Sequence, residues 1–238
     1  MPAIIATKNL HKIYRVGETL IHALAGVTFA VQKGEFVAVT GTSGSGKSTL
    51  LNMLAGLEPA SAGEIVISGH HIEQLNENQL VSFRRENVGF VFQSFNLIPT
   101  LNAAENVALP LTFRGEDKQR RLDKAKRMLE IVGLATHAGH LPLQMSGGQQ
   151  QRVGIARALV VDPEIIFADE PTGNLDSKNG AEVMRFLRNI VDTRKQTIVM
   201  VTHDNELAKV ADRIVHLSDG RIIRVETGKA VKTKAGTK

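Results

Sequence analysis

The chain contains no cysteine, so neither a disulfide nor a thiolate metal site is open to it, a composition that fits the cytoplasm. Aromatic residues make up only 4% of the 238 residues, with a single tyrosine. No apolar run approaches the roughly 18 residues needed to cross a bilayer. The most hydrophobic stretches, Ile165–Ala168 and Ile198–Val201, have the length of buried strands. The N-terminus, Met1-Pro2-Ala3-Ile4, lacks the charged-then-apolar pattern of a secretory signal.

A hydrophobic content of 42% is ordinary for a globular protein and argues against global disorder. The length suits one domain, or one domain with a small inserted lobe. A formal charge of +5 is mild; an anionic membrane surface, nucleic acid or a plain solvated face would each account for it. Part of the excess lies in Lys229, Lys232, Lys234 and Lys238, within a tail over 228–238 that reads as disordered.

Short β-branched runs bounded by Gly, Asp or Asn predict strands at Ile4–Lys8, Thr28–Val31, Phe36–Thr40, Glu64–Ile67, Val88–Phe92, Ile165–Ala168, Thr197–Val201 and Arg213–Leu217. Ser218-Asp219-Gly220 turns the last of these into a closing hairpin strand, Arg221–Val225. Helical spacing predicts Lys118–Val132, with Leu122, Ala125, Met128, Leu129 and Val132 on one face, and further helices over Gly148–Val160 and Ser177–Val191. Strands and helices alternate at both ends, which predicts an α/β fold with a mostly parallel sheet. Between about 94 and 159 the strand signal vanishes, as expected of a helical lobe inserted into that core.

Chemistry enters at Gly41-Thr42-Ser43-Gly44-Ser45-Gly46-Lys47-Ser48, directly after the strand Phe36–Thr40 and before a helix over Ser48–Ala55. This is G-x-x-x-x-G-K-[ST] in its strand–loop–helix setting. Glycines let successive N–H groups turn toward phosphate oxygens, and the helix adds its N-terminal dipole. Lys47 can neutralise β and γ phosphates, and the Ser48 hydroxyl can ligate Mg²⁺. The loop implies nucleotide binding without separating a kinase, a GTPase and a transport ATPase. Ile165–Ala168 ends in Asp169-Glu170. Asp169 fits the Mg²⁺-orienting carboxylate of such sites, and Glu170 a general base for water; alone, the pair would serve equally as a loop cap.

Met145-Ser146-Gly147-Gly148-Gln149 opens the helix upstream of Asp169 and resembles the LSGGQ signature of ABC ATPases, with Met replacing Leu. The resemblance covers essentially the whole chain to Val225. It implies a P-loop NTPase of the ABC type: a mostly parallel core, an N-terminal antiparallel β subdomain, and a helical subdomain about 94–159 within one cassette over 1–227. It also implies that Gly41 to Ser48 with Thr49 bind ATP and that Tyr14 stacks on adenine. Ser146, Gly147, Gly148 and Gln149 would grip the γ-phosphate of ATP on a second copy. Gln93 resembles the Q-loop glutamine that touches Mg²⁺ or water, Asn174-Leu175-Asp176 the D-loop facing the other subunit, and His203 the switch histidine on the γ-phosphate. Catalysis would thus use Lys47, Gln93, Glu170 and His203, with Ser48, Gln93 and Asp169 at the metal. The other histidines, His70 and His71 included, show no metal-ligand spacing.

Gly89–Leu97, Glu105–Pro110 and Ala168–Asp176 are similar to a subgroup serving macrolide exporters, lipoprotein-release systems and antimicrobial-peptide resistance. That similarity implies a homodimer driving an integral membrane permease at the cytoplasmic face of the membrane. In some relatives the permease is fused behind the ATPase; here a separate permease is expected. A soluble ABC ATPase on ribosomes or DNA is the competing class, disfavoured by one cassette and no heptad array, and no nucleic-acid partner is expected. A P-loop kinase would leave Ser146–Gln149 and His203 unexplained.

Overall fold

The computed structural model describes residues 3–228; the lysine-rich segment 229–238 lies outside the described residues. Along the chain, β1 (Ile5–Val16) and β2 (Thr19–Val31) form a long hairpin, and β3 (Phe36–Thr40) runs into α1 (Lys47–Leu54). β4 (Ala62–Ile67) and the short β5 (His70–His71) precede α2 (Glu77–Asn87) and β6 (Val88–Val91). Three helices follow: α3 (Ala103–Phe113), α4 (Lys118–Ile131) and α5 (Gly147–Leu159). Then come β7 (Ile165–Asp169), α6 (Ser177–Arg194), β8 (Thr197–Thr202), α7 (Asn205–Ala208) and the hairpin of β9 (Arg213–Ser218) with β10 (Arg221–Thr227).

Two sheets result. One has the order β2-β1-β4-β5 and is antiparallel; the other has the order β10-β9-β3-β8-β7-β6, parallel except for β10 at its edge. β3 and β8 are buried along their entire lengths, as strands covered on both faces must be. One hydrophobic cluster joins β3 and β7 to α1 and the antiparallel sheet, and a second joins the other face to α5 and α6. A third packs α3, α4 and α5 on one another through Val107, Leu111, Ala125, Leu129 and Val153.

The register fixes where the site lies. Thr40 pairs with Thr202, and Asp169 with Val201, so Gly41, Glu170 and His203 leave the sheet side by side at the carboxyl edge of the parallel strands. That edge is where open α/β sheets bind ligands.

β1 and β2 run much longer than the periodicity predicts. Register shifts between Thr7 and Leu10, with Asn9 left-handed at φ 48°, interrupt the alternation that a sequence reading depends on. α2, unmarked by periodicity, buries only Phe83 and is held by an Asn76–Gln79 capping box. α3 carries Pro110 within it, where proline ordinarily argues for a break. Its Asn106, fully buried, donates to the carbonyls of Ile98 and Leu101 and accepts from the Ile98 N–H at 2.7 Å, which ties the preceding turn to the helix.

Candidate active site

β3 ends at Thr40, and the loop after it wraps a cleft of about 590 Å³. At Gly46 the backbone is left-handed, φ 99°, and an added Cβ would lie 2.3 Å from the Ala23 oxygen; only glycine fits. Lys47 Nζ donates to the carbonyls of Gly41 at 2.9 Å and Thr42 at 2.8 Å, so the cation lies across the loop. The Ser45 hydroxyl is buried and finds no partner among the described residues. The β9–β10 turn braces the loop from behind: Gly220 N donates to the Ser45 oxygen, and Ala25 N to that of Gly220. Ser43, Gly44, Gly46, Lys47, Ser48 and Thr49 face the cleft, while Gly41, Thr42 and Ser45 form the body of the loop.

The opposite wall comes from β7 and β8. Ser48 Oγ donates to Asp169 Oδ1 at 3.1 Å. Burial raises the Asp169 carboxyl above its ordinary value, the Ser48 hydrogen bond pulls it back, and the neighbouring Glu170 charge raises it again. Glu170 has left-handed backbone, φ 43°, and its N–H donates to the Val201 oxygen. Its Oε2 lies 2.7 Å from His203 Nδ1, and both side chains line the cleft. Two oxygens at Ser48 and Asp169, side by side, are the hard donor set that suits Mg²⁺ when phosphates and waters complete its shell.

Gln93 follows β6. Asn174 Nδ2 donates to its carbonyl at 3.1 Å, and Gly173, whose N–H donates to the Glu170 oxygen, lies against its side chain. Asp176 caps α6 by accepting from Asn179 N at 2.9 Å, and Leu175 reaches Gly147 at the start of α5. Ser146 and Gln149 form a reciprocal capping box: Ser146 N donates to Gln149 Oε1 at 2.8 Å, and Gln149 N to Ser146 Oγ at 3.3 Å. Ser146 is exposed, and none of Ser146–Gln149 lines the cleft. A single chain therefore brings Lys47, Ser48, Asp169, Glu170 and His203 together and leaves Ser146–Gln149 outside the cleft.

Tyr14 stands beside the cleft, in hydrogen-bonding reach of Thr49, which lines it. It does not line the cleft; its ring lies under Lys12 Nζ, 5.1 Å from the centroid, and pairs across the hairpin with Ile21. Burial and a hydrogen bond to Glu58 raise its phenol above the ordinary value. The wall on that side is Ile21, His22 and Ala23 of β2, which sequence reading missed because the hairpin's length was not legible.

Residues 24–173 match the family model described as ABC transporter. An uncharacterised ABC transporter ATP-binding protein of Methanocaldococcus jannaschii, MJ1508, is 50% identical over 93% of this chain and 99% of its own length. The macrolide export ATP-binding/permease protein MacB of Chlorobaculum tepidum is 46% identical over 92% of this chain, which spans only 34% of that longer protein. Among solved structures, the dimeric post-hydrolysis state of the cassette MJ0796 bound to ADP and Pi superposes with a TM-score of 0.86 at 44% identity, covering 94% of this chain and 98% of the other. The chain thus belongs to the ABC transporter family, as one of its ATP-hydrolysing cassettes.

Proposed function

We propose that two copies of this chain close head to tail around two ATP molecules with Mg²⁺, and that closing and hydrolysis move an integral membrane permease. The observation that carries this reading is the divided site: the loop, Glu170 and His203 line one cleft, with Asp169 bonded to Ser48 at its edge, while none of Ser146–Gln149 lines it. Rotating a second copy to supply those residues completes the enclosure, a reading supported by the dimeric structures of the relative MJ0796.

Within the site, the loop N–H groups and Lys47 hold the β and γ phosphates. Mg²⁺, when bound, neutralises charge on the β and γ oxygens; Ser48 and Asp169 would hold it, with Gln93 at its edge. Glu170 orients and deprotonates the attacking water, and His203 holds Glu170 and the γ-phosphate side of the cleft. Asn174–Asp176 meets the other copy, and Tyr14 with Ile21 and His22 frames the base.

Residues 1–227 act as one cassette in which the 94–159 helical part moves against the core. The permease surface is the apolar groove of about 480 Å³ where Phe90, Phe92 and the exposed Phe113 meet, next to Gln93. The working place is the cytoplasmic face of the membrane, reached through the permease; among the described residues no helix is long and apolar enough to cross it. Export, lipoprotein extraction or mechanotransmission is the transport class.

Sedimentation of the Glu170→Gln variant tests the sandwich. ATP should convert monomer to dimer, while hydrolysis falls by about 100-fold or more. Normal hydrolysis would remove Glu170 as the base, and a monomer at saturating ATP would remove the sandwich. Purification from gently solubilised native membranes should bring a stoichiometric permease; ribosomal or DNA-processing factors in its place would overturn the transport reading.

A further inference from the structure

The stretch Phe92–Asn96, around Gln93, has a partner for every carbonyl. Gln151 Nε2 donates to the Phe92 oxygen at 3.3 Å and Asn174 Nδ2 to the Gln93 oxygen at 3.1 Å. Asn96 N donates to the Ser94 oxygen, and Arg157 to those of Phe95 and Asn96. Gln151 and Arg157 both stand on α5, the helix whose N-terminus carries Ser146–Gln149. Gly154, between them, faces the loop: an added Cβ would lie 3.7 Å from the Phe95 oxygen, in ordinary contact.

Neither donor is what packing alone would select. Gln151 is fully buried, and its Oε1 has no partner among the described residues, a cost of about 1–3 kcal/mol. Its Nε2 also donates to the Pro171 oxygen at 2.6 Å, one residue past Glu170. Arg157 is desolvated, which lowers its pKa, and forms no ion pair among the described residues. What its guanidinium holds is strained backbone: Phe95 and Asn96 are both left-handed, with φ 59° and 49°. Successive non-glycine residues persist in that region only when their surroundings over-determine them.

We propose that Gln151 and Arg157 are positioning residues that fasten the Gln93 segment to α5, so that movement of the signature helix carries Gln93 with it. Through Pro171 the same amide registers the backbone beside Glu170. Nucleotide gripped by Ser146–Gln149 of one copy is then felt at Gln93 of that same copy, which couples the two sites of the dimer. The coupling rests on the roles assigned above to Gln93 and Ser146–Gln149; the fastening itself does not.

The test uses Gln151→Met, which keeps the volume and removes the donor, with Gln93→Ala and the double variant. Without nucleotide, exchange of the Asn96 amide, which is bonded to the Ser94 oxygen, should quicken by about tenfold or more in Arg157→Met, while β7 amides stay protected. In Gln151→Met the ATP Kd should hold within about twofold, kcat should fall by about 10–100-fold, and the double variant should be no slower than the slower single one. Unchanged exchange of the Asn96 amide would overturn the fastening. Parental kcat in Gln151→Met beside an impaired Gln93→Ala, or losses that add in full, would overturn the coupling. A fully active Gln93→Ala would instead sink the role given to Gln93, with exchange still deciding the fastening. Should Gln151→Met fail to fold, Gln151→Glu gives a pH readout. Its buried carboxyl can donate one hydrogen bond while protonated and repels both carbonyls once ionised. Activity relative to the parent should therefore fall as pH rises; a flat ratio would count against the proposal.

Discussion

Nδ1 of His203 lies 2.7 Å from Oε2 of Glu170, although the two follow different strands and the imidazole is far more exposed, 65% against 19%. The contact orients a carboxylate whose left-handed backbone already sets its direction. His203→Ala should leave ATP affinity within a few-fold and lower kcat by about 10²-fold, and Glu170→Gln by at least as much. Together they should cost no more than the worse single change, since in the proposed mechanism both act on one proton transfer. Steady-state hydrolysis beside equilibrium ATP binding checks this; additive losses would separate the two residues.

Asp169 stands beside Glu170 in a partly desolvated place that raises its carboxyl above the ordinary value, with Ser48 as its hydrogen-bond donor. Such a carboxylate is disfavoured until a cation arrives. Asp169→Asn should therefore raise the Mg²⁺ needed for half-maximal hydrolysis by about 10–100-fold. ATP binding in the presence of a chelator should be unchanged or tighter, because a negative charge near the triphosphate is gone. Titrations with and without Mg²⁺ decide; equal losses in both would move Asp169 from the metal to the nucleotide.

Glu73 offers a stability prediction remote from the site. Burial raises its carboxyl, but the Ile65 N–H at 2.9 Å and His71 Nδ1 at 2.9 Å outweigh that and hold it below the ordinary carboxylate value. A carboxyl lowered on folding contributes stability above its unfolded value and loses that contribution as pH falls through the folded one. Denaturant melts from pH 6 toward pH 3, values chosen to span about the carboxylate range, should show the parent losing more stability than Glu73→Gln. Parallel curves would remove this pair from the acid response.

The parallel core was legible because β3, β7 and β8 are short, mostly apolar runs that each lead to a chemical landmark: Gly41, Asp169 and His203. Local spacing could not reveal what chain-distant packing decides. That Ile21 and His22, and not Tyr14, line the cleft depends on a bulged hairpin. α2 escapes because a helix with one buried residue has no stripe to read. Gln151 escaped for another reason: its partners at Phe92 and Pro171 lie far along the chain, and within the sequence it is one glutamine in a run of three, Gln149-Gln150-Gln151.

Gly173 links Glu170 to Asn174–Asp176, and its role is separable from stability. A Cβ there would lie 2.7 Å from Gln93 Nε2 and 3.0 Å from Gln93 Cδ, while its backbone is outside the left-handed region. The obstacle is thus the far end of a flexible side chain, which can swing aside at little cost, instead of backbone that cannot. Gly173→Ala should fold, with a melting temperature within a few degrees of the parent, a shift of roughly 1 kcal/mol or less. It should nonetheless displace Gln93 and lower kcat toward the level of Gln93→Ala. Adding Gly173→Ala to Gln93→Ala should then restore space and cost nothing further. Melting curves and kcat on the four proteins of this cycle check it. A large drop in melting temperature would place the constraint in the backbone, and full activity would mean that the Gln93 side chain works equally well from a second position.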